Sequence, residues 1–145
     1  MCLLAPYLSV CNTDLNKRII FNPSVDITAS SPLYNGSQAL LSCNVELDPI
    51  LVSPQNSVMV TWRFGTVEVF GDNFLTVSPL VGDGRTYQRN LTFQILFLSD
   101  TGNFICEATV ITVGGNTSTN SSTVHLSVEG MCMLITEGRI GVVQK

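Results

Sequence analysis

The chain has 145 residues, enough for one domain with flanking segments and a single substantial core. Hydrophobic residues make up 45% and charged residues 12%, about half the usual charged share, so Ser, Thr and Asn must supply most of the surface polarity. A net charge of −4 without any basic run argues against nucleic acid or an anionic membrane as partner.

Residues 1–21 show no period, carry mixed charge (Asp14, Lys17, Arg18) and read as a leader or linker. Their first ten residues have an apolar stretch, but no basic residue ahead of it and a proline at position 6, a poor match to a signal peptide. The domain is expected over residues 22–129. Residues 23–29 alternate apolar and polar as an edge strand that starts on Pro23, where a missing N–H is tolerated. Breaker clusters at 30–37 precede a second strand, with Ala39, Leu41, Cys43, Val45 and Leu47 in phase on one face. Asp48-Pro49 ends it, and a longer than usual loop rich in Pro, Ser, Gln and Asn runs to Ser57.

Val58, Val60, Trp62 and Phe64 form the next inward set, and residues 66–70 suit a short further strand. Residues 74–80 and 85–97 read as a hairpin about the turn 82–84. Leu91 and Phe93 share a face, and Leu96 comes where the second strand bends. Residues 102–112 bring Phe104, Cys106 and Ala108 into phase. After a turn at 114–116, residues 122–129 direct Val124, Leu126 and Val128 inward. Residues 130–145 show no complete element and read as a tail or linker. Helical periodicity is absent, and strands at short spacing favour an all-β sandwich. No uncharged apolar run approaches the roughly 18 residues that cross a bilayer, so membrane attachment would need an anchor absent from this sequence.

Cys43 and Cys106 each lie on the inner face of a predicted strand. If those strands belong to opposite sheets packed about 10 Å apart, a disulfide can span the core. Trp62, on a third inward strand, can then pack against the sulfurs. Reading the two as unrelated buried cysteines leaves unexplained the order Cys43, Trp62, Asp100-x-Gly102-x-Phe104-x-Cys106. That constellation resembles an immunoglobulin-superfamily domain over about residues 23–129. Leu41-x-Cys43 resembles the family's strand B, Trp62 its strand C tryptophan, Leu91-x-Phe93-x-x-Leu96 its strand E, and Asp100 to Cys106 its E–F corner and strand F. The resemblance implies a two-sheet antiparallel Greek-key sandwich. Only 44 residues separate Trp62 from Cys106, short for the variable type, so the domain is more similar to the intermediate or C2 types. One position departs from the pattern: Phe104 stands where the family usually has a tyrosine whose hydroxyl bonds back to the corner.

Cys2, Cys11 and Cys132 remain. Cys11 and Cys132 flank the domain and can pair only if the linker runs extended along it. Otherwise these cysteines are free, trimmed with a leader, or bonded to another chain. None forms a CxxC pair and the single His125 has no cysteine near it in sequence, which speaks against zinc. Asp72 and Asp83 sit in glycine turns, where turn-forming aspartate is far commoner than a calcium ligand. No nucleophile and base are brought together by the pattern, so neither catalysis nor a cofactor is expected.

Four Asn-x-Ser/Thr sequons begin at Asn35, Asn90, Asn116 and Asn120, in predicted turns or on outward strand positions. With the disulfide they imply the secretory pathway and an extracellular or cell-surface location. The resemblance implies a protein-binding module of an adhesion or receptor-type protein, its partner another protein, such as a second Ig-like domain. Ile50, Leu51 and Val52 are the candidate contact, because they set apolar residues in a loop that would normally be polar. The alternative for them is folding back over the end of the core. Alternatives for the whole chain are a structural spacer in a multidomain ectodomain and a secreted immune-type recognition protein.

Overall fold

The computed structural model describes residues 21–30, 33–130, 132–136 and 139–143. Apart from Phe21, the expected leader with Cys2 and Cys11 lies outside the described residues, as does the side chain of Cys132.

Among the described residues eleven strands are formed: β1 Ser24–Ala29, β2 Ala39–Glu46, β3 Ser57–Phe64, β4 Val67–Glu68, β5 Leu75–Val77, β6 Val81–Gly82, β7 Thr86–Phe93, β8 Gly102–Ile111, β9 Thr117–Leu126, β10 Cys132–Thr136 and β11 Arg139–Val143. β1 to β9 build two sheets, one in the order β1-β2-β7-β5 with β6 also on β7, the other in the order β4-β3-β8-β9. Every strand pair in them is antiparallel. Each sheet contributes one apolar face. Leu41, Cys43, Val45, Leu91 and Phe93 from the first meet Val60, Trp62, Phe104, Cys106, Ala108, Val110 and Leu126 from the second in one buried cluster. The expected sandwich is the architecture observed.

After β1 the chain leaves the first sheet. Tyr34 makes a parallel bridge with Glu129 beyond the end of β9, so the same segment serves both sheets. The amide of Gly36 donates to the Leu96 carbonyl at 2.7 Å and that of Leu96 to the Ser37 carbonyl at 2.8 Å, which fastens this crossover to the bend after β7.

Several element boundaries differ from expectation, each for a local reason. The strand expected at 74–80 shrinks to β5, since Pro79 has no N–H to donate, and the short β6 forms beyond it, reaching into the expected turn at Gly82. The strand expected at 85–97 stops at Phe93, where the backbone turns towards residues 34–37. The further strand at 66–70 shrinks to the two residues of β4. In contrast β9 starts at Thr117, five residues before the expected 122. Its Thr/Ser/Asn run looks like a loop, yet it pairs residue for residue with β8 from Ile111↔Thr117 onward. The tail is also corrected: residues 132–136 and 139–143 form an antiparallel ribbon, Cys132↔Val143 to Thr136↔Arg139.

Candidate functional site

Cys43 and Cys106 form a disulfide between the two sheets, with Cα atoms 6.2 Å apart. Trp62 faces Cys106 in the β3–β8 register and is buried. Its indole N–H donates to the Arg89 carbonyl at 3.2 Å, so the one polar atom of this ring is satisfied inside the core. Leu91 is buried beside them.

Asp100 has a backbone role at the corner. Its Oδ2 accepts the Phe97 amide at 2.7 Å and closes the single 3₁₀ turn Leu98–Asp100. Phe104 follows, buried between two rings, 4.7 Å from Phe64 in a tilted pair and 5.5 Å from Phe93 in an edge-to-face one. The Phe64 ring, half out of the core at the end of β3, lies against Gly102. A β-carbon on Gly102 would meet that ring at 2.7 Å, which accounts for glycine at this point of the motif. Phe64, expected to point fully inward, therefore acts as a lid over the corner.

Arg89 is a tie that the reading of the sequence missed. It pairs with Cys43 in register and so lies on the inward phase of β7. Its Nε donates to the Ser78 carbonyl at 3.1 Å, and its terminal nitrogen donates across the core to the Val60 carbonyl of the other sheet. The signal was present: a charged residue exactly two positions before Leu91, in phase with it.

The candidate contact residues divide. Asp48 begins the loop after β2, its Oδ1 accepting the Ile50 amide at 3.0 Å, and Pro49–Leu51 form one 3₁₀ turn. Leu51 is turned into the core at 7% exposure, whereas Ile50 and Val52 stay out at 63% and 41%. The side-chain amide of Asn56 donates to the Leu51 carbonyl at 2.9 Å and holds this arrangement. Val113, in the β8–β9 turn at the same end of the sandwich, is 68% exposed. At the opposite end Phe70, Phe74, Ile95, Phe97 and Leu98 are exposed as well, with Phe74 and Phe97 in edge-to-face contact at 5.4 Å.

The acidic and histidine candidates take structural roles. Asp72 accepts the amides of Phe74 and Leu75 through Oδ1, at 2.7 and 2.9 Å. Asp83 accepts those of Thr86 and Arg85 at 2.7 and 2.9 Å. The Thr86 amide, then that of Arg85, holds the Asp83 carboxyl below the ordinary carboxylate range. His125 is exposed, its Nδ1 2.8 Å from Asn103 Oδ1. On the same outer face Arg63 pairs with Glu107 at 2.9 Å, half exposed and so of small energetic weight. Among the described residues no group of three His, Cys, Asp or Glu side chains is placed to hold a metal, and no helix is long and apolar enough to cross a membrane.

Asn35 and Asn116 occupy exposed turns. Asn90 stands in the middle of β7, on the solvent face of the first sheet. Asn120, expected in the loop before the last strand, lies within β9 and is exposed. It is in register with Ala108, on the phase that faces β1, and its Nδ2 donates to the Pro23 carbonyl at 2.8 Å. Two residues away, Ser118 Oγ donates to Asn22 Oδ1 at 2.9 Å and to the Phe21 carbonyl. Together these side chains clasp the start of the first sheet to the edge of the second.

Two sheets bridged by Cys43–Cys106 over a buried tryptophan, with the Asp100 corner at one end, define an immunoglobulin-like domain. Among solved structures the chain is similar to the N-terminal eight Ig domains of Down Syndrome Cell Adhesion Molecule isoform 1.30.30, with a TM-score of 0.57 and 22% identity over 77% of this chain and 13% of that one. It is similar also to the complex of Dpr2 Ig1-Ig2 with DIP-Theta Ig1-Ig3, with a TM-score of 0.57 and 15% identity over 75% of this chain and 33% of that one. The chain thus spans only a minor part of either, and at these identities the likeness is one of fold. No protein-family model and no curated protein matches it.

Proposed function

We propose that this chain is an extracellular, non-catalytic, protein-binding module of a cell-surface adhesion or receptor-type protein. The observation that carries this reading is the apolar end of the sandwich. Ile50 and Val52 remain in solvent although the Leu51 anchor and the Asn56 bond hold their loop in one shape. A rigid loop that presents apolar side chains suits docking to another protein, because little ordering entropy is lost on contact. The two similar solved structures come from an adhesion molecule and from a complex between Ig-domain proteins, which fits such a role. The disulfide and the sequons support passage through the secretory pathway.

A multivalent fusion of the full chain to an antibody Fc tests this on a panel of cells and surface ectodomains. Binding should fall at least tenfold in Ile50→Ser/Val52→Ser with an unchanged circular dichroism spectrum. Binding that survives this variant but is lost on Met59→Ser would place the contact on the β3–β8 face and overturn the assignment. A structural spacer is the second reading. It is favoured by the exposed Phe70, Phe74, Phe97 and Leu98 at the end where the chain leaves β9, a surface suited to stacking against an adjoining unit.

A further inference from the structure

The four sequons are equivalent as sequence, but their side chains are not placed alike. Asn90 lies midway along β7 and faces Ser42 of β2 in register, on the solvent side of the first sheet. Asn90 is partly buried, and its Oδ1 is buried without a hydrogen-bond partner among the described residues. No hydrogen bond to a described residue engages its side-chain amide, in contrast to that of Asn120. Its backbone is held by Ser78, the amide donating to Ser78 Oγ at 2.8 Å and the carbonyl accepting the Ser78 amide at 2.9 Å. Thr92, the sequon hydroxyl, stands two residues on along the same face.

The ground around Asn90 also suits a sugar. A groove of about 640 Å³ opens on this face, lined by Asp26, Asn44, Glu46, Val81, Thr86 and Gln88 among others. Gln88 is one inward–outward repeat from Asn90, roughly 7 Å along the strand. The lining combines the carboxylates of Asp26, Glu46 and Asp83 with amide and hydroxyl groups and the apolar Val81, acceptors for sugar hydroxyls beside a surface for the C–H face of a pyranose. On the other side of Asn90, paired with Thr92, is Leu40, a half-exposed apolar residue on an otherwise polar surface.

We propose that Asn90 carries an N-linked glycan that covers the solvent face of the β1-β2-β7-β5 sheet, and that Asn120 is a sequon kept bare in the folded protein. In the transfer, Nδ2 of Asn90 forms a bond to the anomeric carbon of the first sugar of a lipid-diphosphate-linked oligosaccharide. The bond from that carbon to the diphosphate oxygen breaks, one Nδ2 proton is lost, and the lipid diphosphate leaves. At Asn120 the same nitrogen is spent on the Pro23 carbonyl and faces β1, so a sugar there would displace the clasp that holds the first sheet's edge. With Asn90 covered, protein contact is confined to the ends and to the β4-β3-β8-β9 face.

This inference rests on the secretory reading above. To separate the two, the full chain is expressed in mammalian cells behind a cleavable secretion signal, and the secreted protein is deglycosylated by a peptide amidase in ¹⁸O-water before peptide mass spectrometry. The expected result is an ¹⁸O-labelled aspartate at position 90 in most copies and unmodified asparagine at 120. In parallel, Asn90→Gln should remove one glycan step on a denaturing gel and Asn120→Gln none. Unlabelled Asn90, or labelled Asn120, in the secreted wild-type protein overturns the proposal whatever the variants do. Free thiols at Cys43 and Cys106 in the secreted protein would sink the secretory reading instead.

Discussion

Loss of the Cys43–Cys106 bridge should be the most damaging change this domain can suffer without altering its surface. The two cysteines are 63 residues apart. Closing a loop of that length stabilises the folded state by about 4 kcal/mol on the chain-entropy model. Both sulfurs are fully buried against Trp62, and alanine in their place leaves a void that adds about 1 kcal/mol. A loss of about 5 kcal/mol reaches the lower end of the 5–15 kcal/mol by which natural domains are stable. The test is urea unfolding of the wild type and of Cys43→Ala/Cys106→Ala. Trp62, the sole tryptophan, serves as the fluorescent probe and reports on the bridge's own surroundings. With a slope near 2 kcal/mol per molar urea, the midpoint should fall by about 2.5 M. The slope itself should rise, because a chain without the cross-link exposes more surface on unfolding. A fall below about 1 M with an unchanged slope would refute the reasoning, since the denatured chain would then gain no freedom from the cut.

Arg89→Ala should destabilise by about 2–3 kcal/mol in the same assay, because charge-assisted bonds to the Ser78 and Val60 carbonyls are lost together. Arg89→Lys should recover only part of this, as a single ammonium cannot span two carbonyls in fork geometry; full recovery would rule out the two-point tie. Phe104→Tyr should raise the thermal midpoint by a few degrees, if the restored hydroxyl bonds to the corner backbone for about 1 kcal/mol. A lower midpoint would show that Phe64 and Phe93 leave the hydroxyl no partner. Asp83 supplies a pH dependence of definite sign. Its folded-state pKa is depressed by the Thr86 and Arg85 amides, so its contribution is present above the unfolded value near 3.9 and lost as pH falls through the lower folded value. The gap in thermal midpoint between wild type and Asp83→Asn should be constant near neutrality and close below pH 4. A gap that widens in acid would contradict the assignment.

What was legible in the sequence was the set of positions where burial and covalent chemistry coincide. Cys43, Trp62, Leu91 and Cys106 announce themselves because each is an apolar residue in phase with others on a strand, and period-2 burial is the strongest signal a short strand carries. Features that depend on a partner strand were not legible. Thr117 to Ser121 look like a loop by composition, and become a strand only because β8 lies alongside to accept their ladder. Asn120 reads as a loop sequon until the register with Ala108 places it in β9, within reach of the Pro23 carbonyl. Arg89 escaped for the opposite reason, since a charge on an inward phase is usually taken as a break in the pattern and here it is a bond between sheets.

The same distinction bears on where recognition occurs. Residues 50–52 form one apolar run in sequence, and as a run they fit either a contact or a plug for the core. In the fold they serve both ends, for Leu51 closes the core and thereby fixes the direction of its neighbours Ile50 and Val52. Leu51→Ala should therefore weaken partner binding as well as stability, although Leu51 is itself hidden. The loss of stability should be about 2–5 kcal/mol, the cost of truncating a buried leucine. Ile50→Ser, by contrast, should weaken binding and leave the unfolding free energy within about 0.5 kcal/mol of wild type, as expected of an exposed position. If Leu51→Ala lost stability but kept full affinity, the loop would not be held by its anchor, and the apolar end would be a set of independent side chains.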